Sequence, residues 1–216
     1  SGIRNAYDLV WHSNGNLYVP TNGSSPGGNT PASLNGTLRI DGTTYNGPRV
    51  PGLTDVQQSQ EDFLFRVVKG GYYGHPNPIR GEYVMNGGNP TTAIDPAQVD
   101  DYPVGTLPDK NWRGFSFDFQ DHASPDGAIE YKSNTFNGAL KGKLLVVRYS
   151  KQDDIITLVP GAHDILNSIE GILIEGFSGF NNPLDITEDV RTGNIYISEY
   201  GGEGKIDLLR PKIGGK

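Results

Sequence analysis

Asp8-Leu9-Val10-Trp11 runs through Asn14-Gly15-Asn16 into Leu17-Tyr18-Val19 and ends on Asn22-Gly23. Far downstream, Asp185-Ile186-Thr187 runs through Thr192-Gly193-Asn194 into Ile195-Tyr196-Ile197 and ends on Tyr200-Gly201. Each stretch reads as a strand, a tight glycine turn, a second strand and a glycine exit. The step from turn glycine to exit glycine is eight residues in both, Gly15 to Gly23 and Gly193 to Gly201. A hairpin repeated at this size marks a radial all-β array, and the fold expected is a β-propeller. Both turn glycines are expected at positive φ, which only glycine adopts without a Cβ penalty. Alternation puts Leu9, Trp11, Leu17, Val19, Ile129, Leu145, Val147, Ile186, Ile195 and Ile197 on the faces between blades.

Outward from these hairpins, further strand-like runs fall into three groups. The first holds 6–12, 15–20 and 62–68. The second holds 114–120, 128–133, 142–150 and 154–159, punctuated by turns at Pro125-Asp126-Gly127 and Asn137-Gly138. The third holds 171–177, 183–188, 194–198 and 204–210. One helical turn is expected near 162–168. Residues 21–61 and 70–112 read as long irregular surface loops, the former with a small hairpin around Thr37–Tyr45. The expectation is one domain, 1–216, made of about three four-stranded blades (groups near 1–75, 113–160 and 165–212) of a six-bladed propeller. Three blades do not close a ring, so remaining blades or a second chain are expected at the open edges.

Composition narrows the function. The 216 residues include 30 glycines and 15 prolines, about a fifth of the chain, which suits short strands and many turns. The net charge of −7 argues against a nucleic-acid partner. No apolar run has the length of a membrane helix. With no cysteine, the chain has no disulfide, thiolate metal site or cysteine nucleophile. No phosphate-binding glycine loop, nucleophile elbow or His-Glu-x-x-His motif occurs.

Several stretches, in order, resemble the soluble glucose and sorbosone dehydrogenase family. Gly2-Ile3-Arg4-Asn5-Ala6 through Gly15-Asn16-Leu17-Tyr18-Val19 is similar to the family's G-x-R-N strand, glycine turn and following strand. Asp62-Phe63-Leu64-Phe65-Arg66-Val67 before Gly70-Gly71-Tyr72-Tyr73-Gly74-His75-Pro76 looks like its D-E-I-N strand before G-G-N-Y-G-W-P. His122-Ala123-Ser124-Pro125-Asp126-Gly127 looks like its H-S-A-P-x-G, and Asn182-Pro183-Leu184-Asp185 like its last inner strand. The resemblance covers the C-terminal half of a six-bladed quinoprotein that uses pyrroloquinoline quinone and calcium. It implies oxidation of a sugar alcohol or aldose by hydride transfer to the quinone, and an extracellular or periplasmic location.

Carried over by position, Arg4 and Asn5 fall at the quinone, and the Gly23 and Ser24 carbonyls at the calcium ion. Those residue types suit the roles. An arginine fork pairs a carboxylate of the tricarboxylate cofactor, an amide donates to a quinone oxygen, and calcium favours peptide carbonyls. His122 is the titratable candidate, an imidazole able to take or give a proton near neutral pH. The family's general-base histidine lies upstream of G-x-R-N, where this sequence begins. Residues 182–185 lack the family's cofactor arginines, and the loop after Gly23 lacks its acidic run. The chain alone is therefore expected to bind quinone weakly or not at all and to be inactive. The rival expectations are a non-catalytic propeller module binding glycan or protein, and a structural assembly subunit. Asp8 and Asp185, recurring at equivalent positions, are expected to accept backbone N–H groups.

Overall fold

The computed structural model describes residues 1–212 as fourteen strands and three short 3-10 turns. The strands are β1 (Asn5–Ala6), β2 (Val10–Trp11), β3 (Leu17–Asn22), β4 (Gly28–Thr30), β5 (Leu53–Val56), β6 (Asp62–Val67) and β7 (Phe117–Gln120). They continue as β8 (Pro125–Glu130), β9 (Leu144–Arg148), β10 (Asp154–Pro160), β11 (Ile165–Ile169), β12 (Pro183–Asp189), β13 (Asn194–Glu199) and β14 (Lys205–Leu209). Among the described residues no helix is long and apolar enough to cross a membrane.

The chain divides into two compact units. One comprises Ser1–Asn5, Gly23–Glu61 and Val68–Phe115; the other comprises Ala6–Asn22, Asp62–Val67 and the chain from Ser116 onward.

The second unit holds three antiparallel sheets. The first runs β1-β3-β6-β7, with β2 also pairing β3; the second runs β11-β10-β9-β8; the third runs β12-β13-β14. The two repeated hairpins hold the same position, β2 and β12 each lying at the edge of its sheet beside β3 and β13. Gly15 and Gly193 have φ of 84° and 70°, as the turn chemistry requires.

The middle sheet is buried on both faces, and its alternation shows how. Leu144 and Val146 of β9, with Ile156 and Leu158 of β10, pack on Val10, Tyr18, Leu64 and Phe119 of the first sheet. The intervening residues Leu145, Val147 and Ile155 pack on Ile186, Ile195 and Ile197 of the third. Each such side chain contributes roughly 1.5–3 kcal/mol of burial. Among the described residues no strand ladder joins one of these sheets to another. Instead carboxylates bridge them: Asp8 accepts from the Ala128 amide at 3.0 Å, Glu130 from Ser13 at 2.9 Å, and Glu188 from Lys132 and Ser133 at 2.9 and 2.8 Å.

Four expectations need correction. Leu9 and Trp11 are 64% and 68% exposed, whereas Val10 and Tyr18 are buried: strand β2 has the opposite phase. Residues 117–120 close the first sheet rather than opening the second, so sheet membership is shifted by one strand. The fourth strand of the second sheet is β11, in place of the expected helical turn, and Gly171–Leu173 is a 3-10 turn rather than strand. The third sheet consequently has three strands.

The first unit is built from the two long insertions, and they are not irregular surface. β4 pairs with β5, and the Thr37–Tyr45 hairpin forms around a Leu38–Thr44 bridge. Tyr45, Val50, Leu53 and Val56 of one insertion pack with Tyr83, Val84, Met85, Val99 and Tyr102 of the other in a separate core. Several buried polar groups there are paired. Tyr72 donates to the Val84 carbonyl at 2.5 Å, and the Asp109 carboxylate accepts both the Tyr83 and Val84 amides at 2.9 Å.

Candidate functional site

In the first unit, the structure brings together Arg4 and Gly23, residues that the sequence separates by a hairpin. Arg4 Nη1 donates to the Gly23 carbonyl at 2.8 Å. The Ser24 carbonyl accepts the Gln60 amide at 2.8 Å. Gly23 is held because nothing larger fits: a Cβ there would lie 2.2 Å from the Gln60 carbonyl oxygen and 2.5 Å from that of Glu61. Asn5 is exposed beside Arg4 in β1. His75 belongs to the same unit, its amide donating to Gly2 at 2.8 Å. Partial desolvation, then the Arg4 guanidinium, hold its imidazole below the ordinary range.

The geometry bears on the calcium expectation. A peptide carbonyl has two lone pairs, so the Ser24 oxygen can meet a second partner after its hydrogen bond. Ser24 faces a neutral amide, which is compatible with a cation. Gly23 faces a guanidinium, and a divalent ion on the same oxygen would sit against that positive charge. Calcium therefore does not fit at Gly23 while Arg4 lies there. Among the described residues no cluster of three histidines or acids is arranged to hold a metal ion.

In the second unit, His122 is exposed and lies in a run with alternating left-handed backbone: φ is 67° at Gln120, 55° at His122 and 50° at Ser124. Such conformations in non-glycine residues store strain that the surroundings must hold. Asp62 accepts the Ser124 amide at 2.8 Å, and the Ser124 hydroxyl donates to Asn22 Oδ1 at 2.8 Å. The Asn22 amide in turn donates to Asp126 at 3.3 Å.

Asp126 is the group that sequence reading misses. Pro125-Asp126-Gly127 reads as a turn; it is the start of β8, and all three residues are buried. Burial, with the Asp62 charge adding, pushes the Asp126 carboxyl up to about 6 against the Asn22 hydrogen bond. Tyr7 is raised too, by desolvation first and then by Asp185, Asp126 and Asp8. Asp8 and Asp185 accept the backbone amides of Ala128 and Ile186, the structural role their recurrence implies.

Asp126 gives a testable pH dependence. Its folded value of about 6 lies above the usual 3.8, so ionisation disfavours the fold as pH rises through 4–6. Asp126→Asn mimics the protonated form and still accepts from Asn22. The variant is expected to be more stable at pH 8 by about 1 kcal/mol, a Tm rise of roughly 2–4 °C. At pH 4 the difference should vanish. Thermal melts at both pH values check this, and equal Tm differences at the two would refute it.

No protein-family profile and no curated protein matches this chain. Solved structures do. A putative oxidoreductase (glucose dehydrogenase) of Thermus thermophilus is 16% identical with a TM-score of 0.51, over 97% of this chain and 45% of that one. A glucose dehydrogenase is 15% identical with a TM-score of 0.55, over 100% of this chain and 46% of that one. The holo form of the pyranose dehydrogenase PQQ domain from Coprinopsis cinerea is 14% identical with a TM-score of 0.51, over 97% and 54%. The chain spans about half the length of the structures it matches. Over that half it has the β-propeller fold of these glucose and pyranose dehydrogenases.

Proposed function

We propose that this chain is about half of a quinone-dependent sugar oxidoreductase of the glucose and pyranose dehydrogenase type, acting outside the cytoplasm or in the periplasm. The observation that carries the reading is the Arg4–Gly23 contact. The resemblance puts one of these residues at the quinone and the other at its metal, and in the fold the two are in contact. Bound pyrroloquinoline quinone would supply the hydride acceptor for a sugar alcohol or aldose. Arg4 and Asn5 are the residues that would hold it, through a carboxylate and a carbonyl oxygen. Arg4 spends one donor on Gly23 and has others for a carboxylate. Calcium would be held by peptide carbonyls, that of Ser24 first, since the Gly23 oxygen faces Arg4. In this reading His122 is the exposed proton carrier contributed by this chain.

The test is calorimetry with pyrroloquinoline quinone and calcium, on this chain and on the full-length natural protein. The full-length protein is expected to bind both. There, Arg4→Gln is expected to weaken quinone binding by about 10- to 100-fold, the worth of a charge-assisted hydrogen bond. This chain alone should bind weakly or not at all. Absence of quinone binding in the full-length protein would defeat the oxidoreductase reading. A non-catalytic propeller binding glycan or protein is the second reading, favoured by the absence of arginine from residues 182–185.

A further inference from the structure

The first unit contains a cavity of about 660 Å³ between the Thr37–Tyr45 hairpin, the 46–51 loop, the 80–84 segment and the 103–111 loop. None of Arg4, Asn5, Gly23 or Ser24 lines it, so its chemistry is independent of the quinone reading. The chain carries a net charge of −7, yet this cavity is cationic. Arg39, Arg49, Arg80 and Lys110 line it, against Glu82 and Asp109.

Both carboxylates are already committed inside the unit. Glu82 is buried; it accepts the Ser1 hydroxyl at 2.5 Å and pairs with Arg80 at 3.4 Å. Asp109 binds the Tyr83 and Val84 amides, and burial raises its carboxyl to about 6, which lowers its negative charge further in mild acid. Among the described residues, Arg39, Arg49 and Lys110 have no carboxylate within ion-pair distance.

Arg39 is the clearest of the three. Its Nε is buried and has no hydrogen-bond partner. Leaving a buried donor unmade is costly, and each native instance calls for a reason. The backbone that carries it is tied down. The Arg39 amide donates to Thr43 across the hairpin, and the next amide, of Ile40, donates to Ile79. Gly81 lies under the arginine: a Cβ there would meet Arg39 Cδ at 2.9 Å and Tyr45 Cδ2 at 3.1 Å. Gly81 has φ of 72°, so two constraints keep that place open. Four prolines, Val104 and Leu107 make apolar stretches of the remaining wall, beside polar Asn46, Thr106 and Asn111.

The geometry points to a binding site for a small organic dianion of one or two sugar rings, whose oxyanions pair with Arg39, Arg49 and Lys110. The volume lies within the usual range for small-molecule sites, and a preset arginine fork suits carboxylate and phosphate alike. The apolar proline walls suit the ring body rather than a free inorganic ion.

The test is calorimetric titration of the whole chain with digalacturonate, glucose 1,6-bisphosphate, inorganic phosphate and neutral cellobiose. Either sugar dianion is expected to bind with Kd below about 1 mM, at least tenfold tighter than cellobiose or phosphate. The stronger of the two identifies carboxylate or phosphate as the preferred oxyanion. Arg39→Gln is expected to weaken that binding about tenfold or more, with Arg39→Lys recovering part of it. Arg49→Gln and Lys110→Gln are exposed changes expected to weaken it several-fold with the fold intact, whether or not Arg39→Gln folds. Binding of cellobiose as tightly as the dianions would overturn the proposal. So would no binding by either dianion, or unchanged affinity in both the Arg49 and Lys110 variants.

Discussion

Arg148→Leu is expected to lose about 3–5 kcal/mol of stability, the largest single effect outside the packed cores. Arg148 in β9 is 3% exposed and faces Asp154 in β10, its partner in the ladder. Nε and Nη2 bind the two Asp154 oxygens at 2.7 and 2.6 Å, and Nη2 also bonds to Glu170. Asp154 Oδ2 further accepts the Gly171 amide at 3.0 Å, which anchors the 3-10 turn after β11. Leucine removes the cation and leaves a buried carboxylate with one amide for company. The loss comes from that stranded charge, so Arg148→Leu combined with Asp154→Leu should recover most of it. Urea unfolding of both variants at pH 7 measures this. A single variant within about 1 kcal/mol of the parent would show that water reaches Asp154 and that the pair is effectively exposed.

The second large effect concerns Gly127 in β8. A Cβ there would stand 2.5 Å from Asp185 Oδ1, 2.6 Å from Asp185 Cα and 2.9 Å from the Ile186 nitrogen. Two of those three atoms are backbone of β12, so the strands themselves must separate. Gly127→Val is expected to cost about 3 kcal/mol or more through overpacking between the second and third sheets. Gly15→Ala offers a control of a different kind. Nothing lies within 4 Å of a Cβ at Gly15, but φ is 84°, and its cost should be about 1 kcal/mol from backbone strain alone. Similar losses at the two positions would mean that β8 and β12 are not tightly packed.

The hairpins are legible in the sequence because their signal is local. A glycine at positive φ between two alternating runs specifies a turn by itself, and Gly15 and Gly193 both turn. Sheet membership is not legible, because periodicity shows that Phe117–Gln120 is a strand but not which sheet receives it. The phase of β2 is hidden for the same reason: two ladder residues are too few for alternation to decide between Val10 and Trp11.

Pro125-Asp126-Gly127 has turn composition, yet proline is also tolerated as the first residue of an edge strand, where no amide is needed, and glycine where another backbone comes close. Tertiary packing chose the second use, and with it the burial that raises Asp126. The core of the insertions is hidden because Tyr45, Tyr83 and Tyr102 are spaced without a period and meet only through non-local pairing. For the candidate quinone site, the identities of Arg4 and Gly23 come from the resemblance. That Arg4 donates to the Gly23 oxygen, where a cation would otherwise sit, is a matter of distance that no sequence states.

The carboxylate bridges between sheets have a consequence for how such a molecule can change over time. A ladder joining two sheets would tie their registers together, and one inserted residue would flip every side chain across the joint. Asp8 on Ala128, Glu130 on Ser13 and Glu188 on Lys132 and Ser133 impose no such tie. Each joint needs one or two acids, the amides they meet and complementary apolar faces. A whole sheet can therefore be duplicated, lost or exchanged while its neighbours keep their internal pairing, provided the acid and the amide still meet. That makes each sheet an interchangeable part, and the sequence at its joints the fitting that decides what it can be joined to.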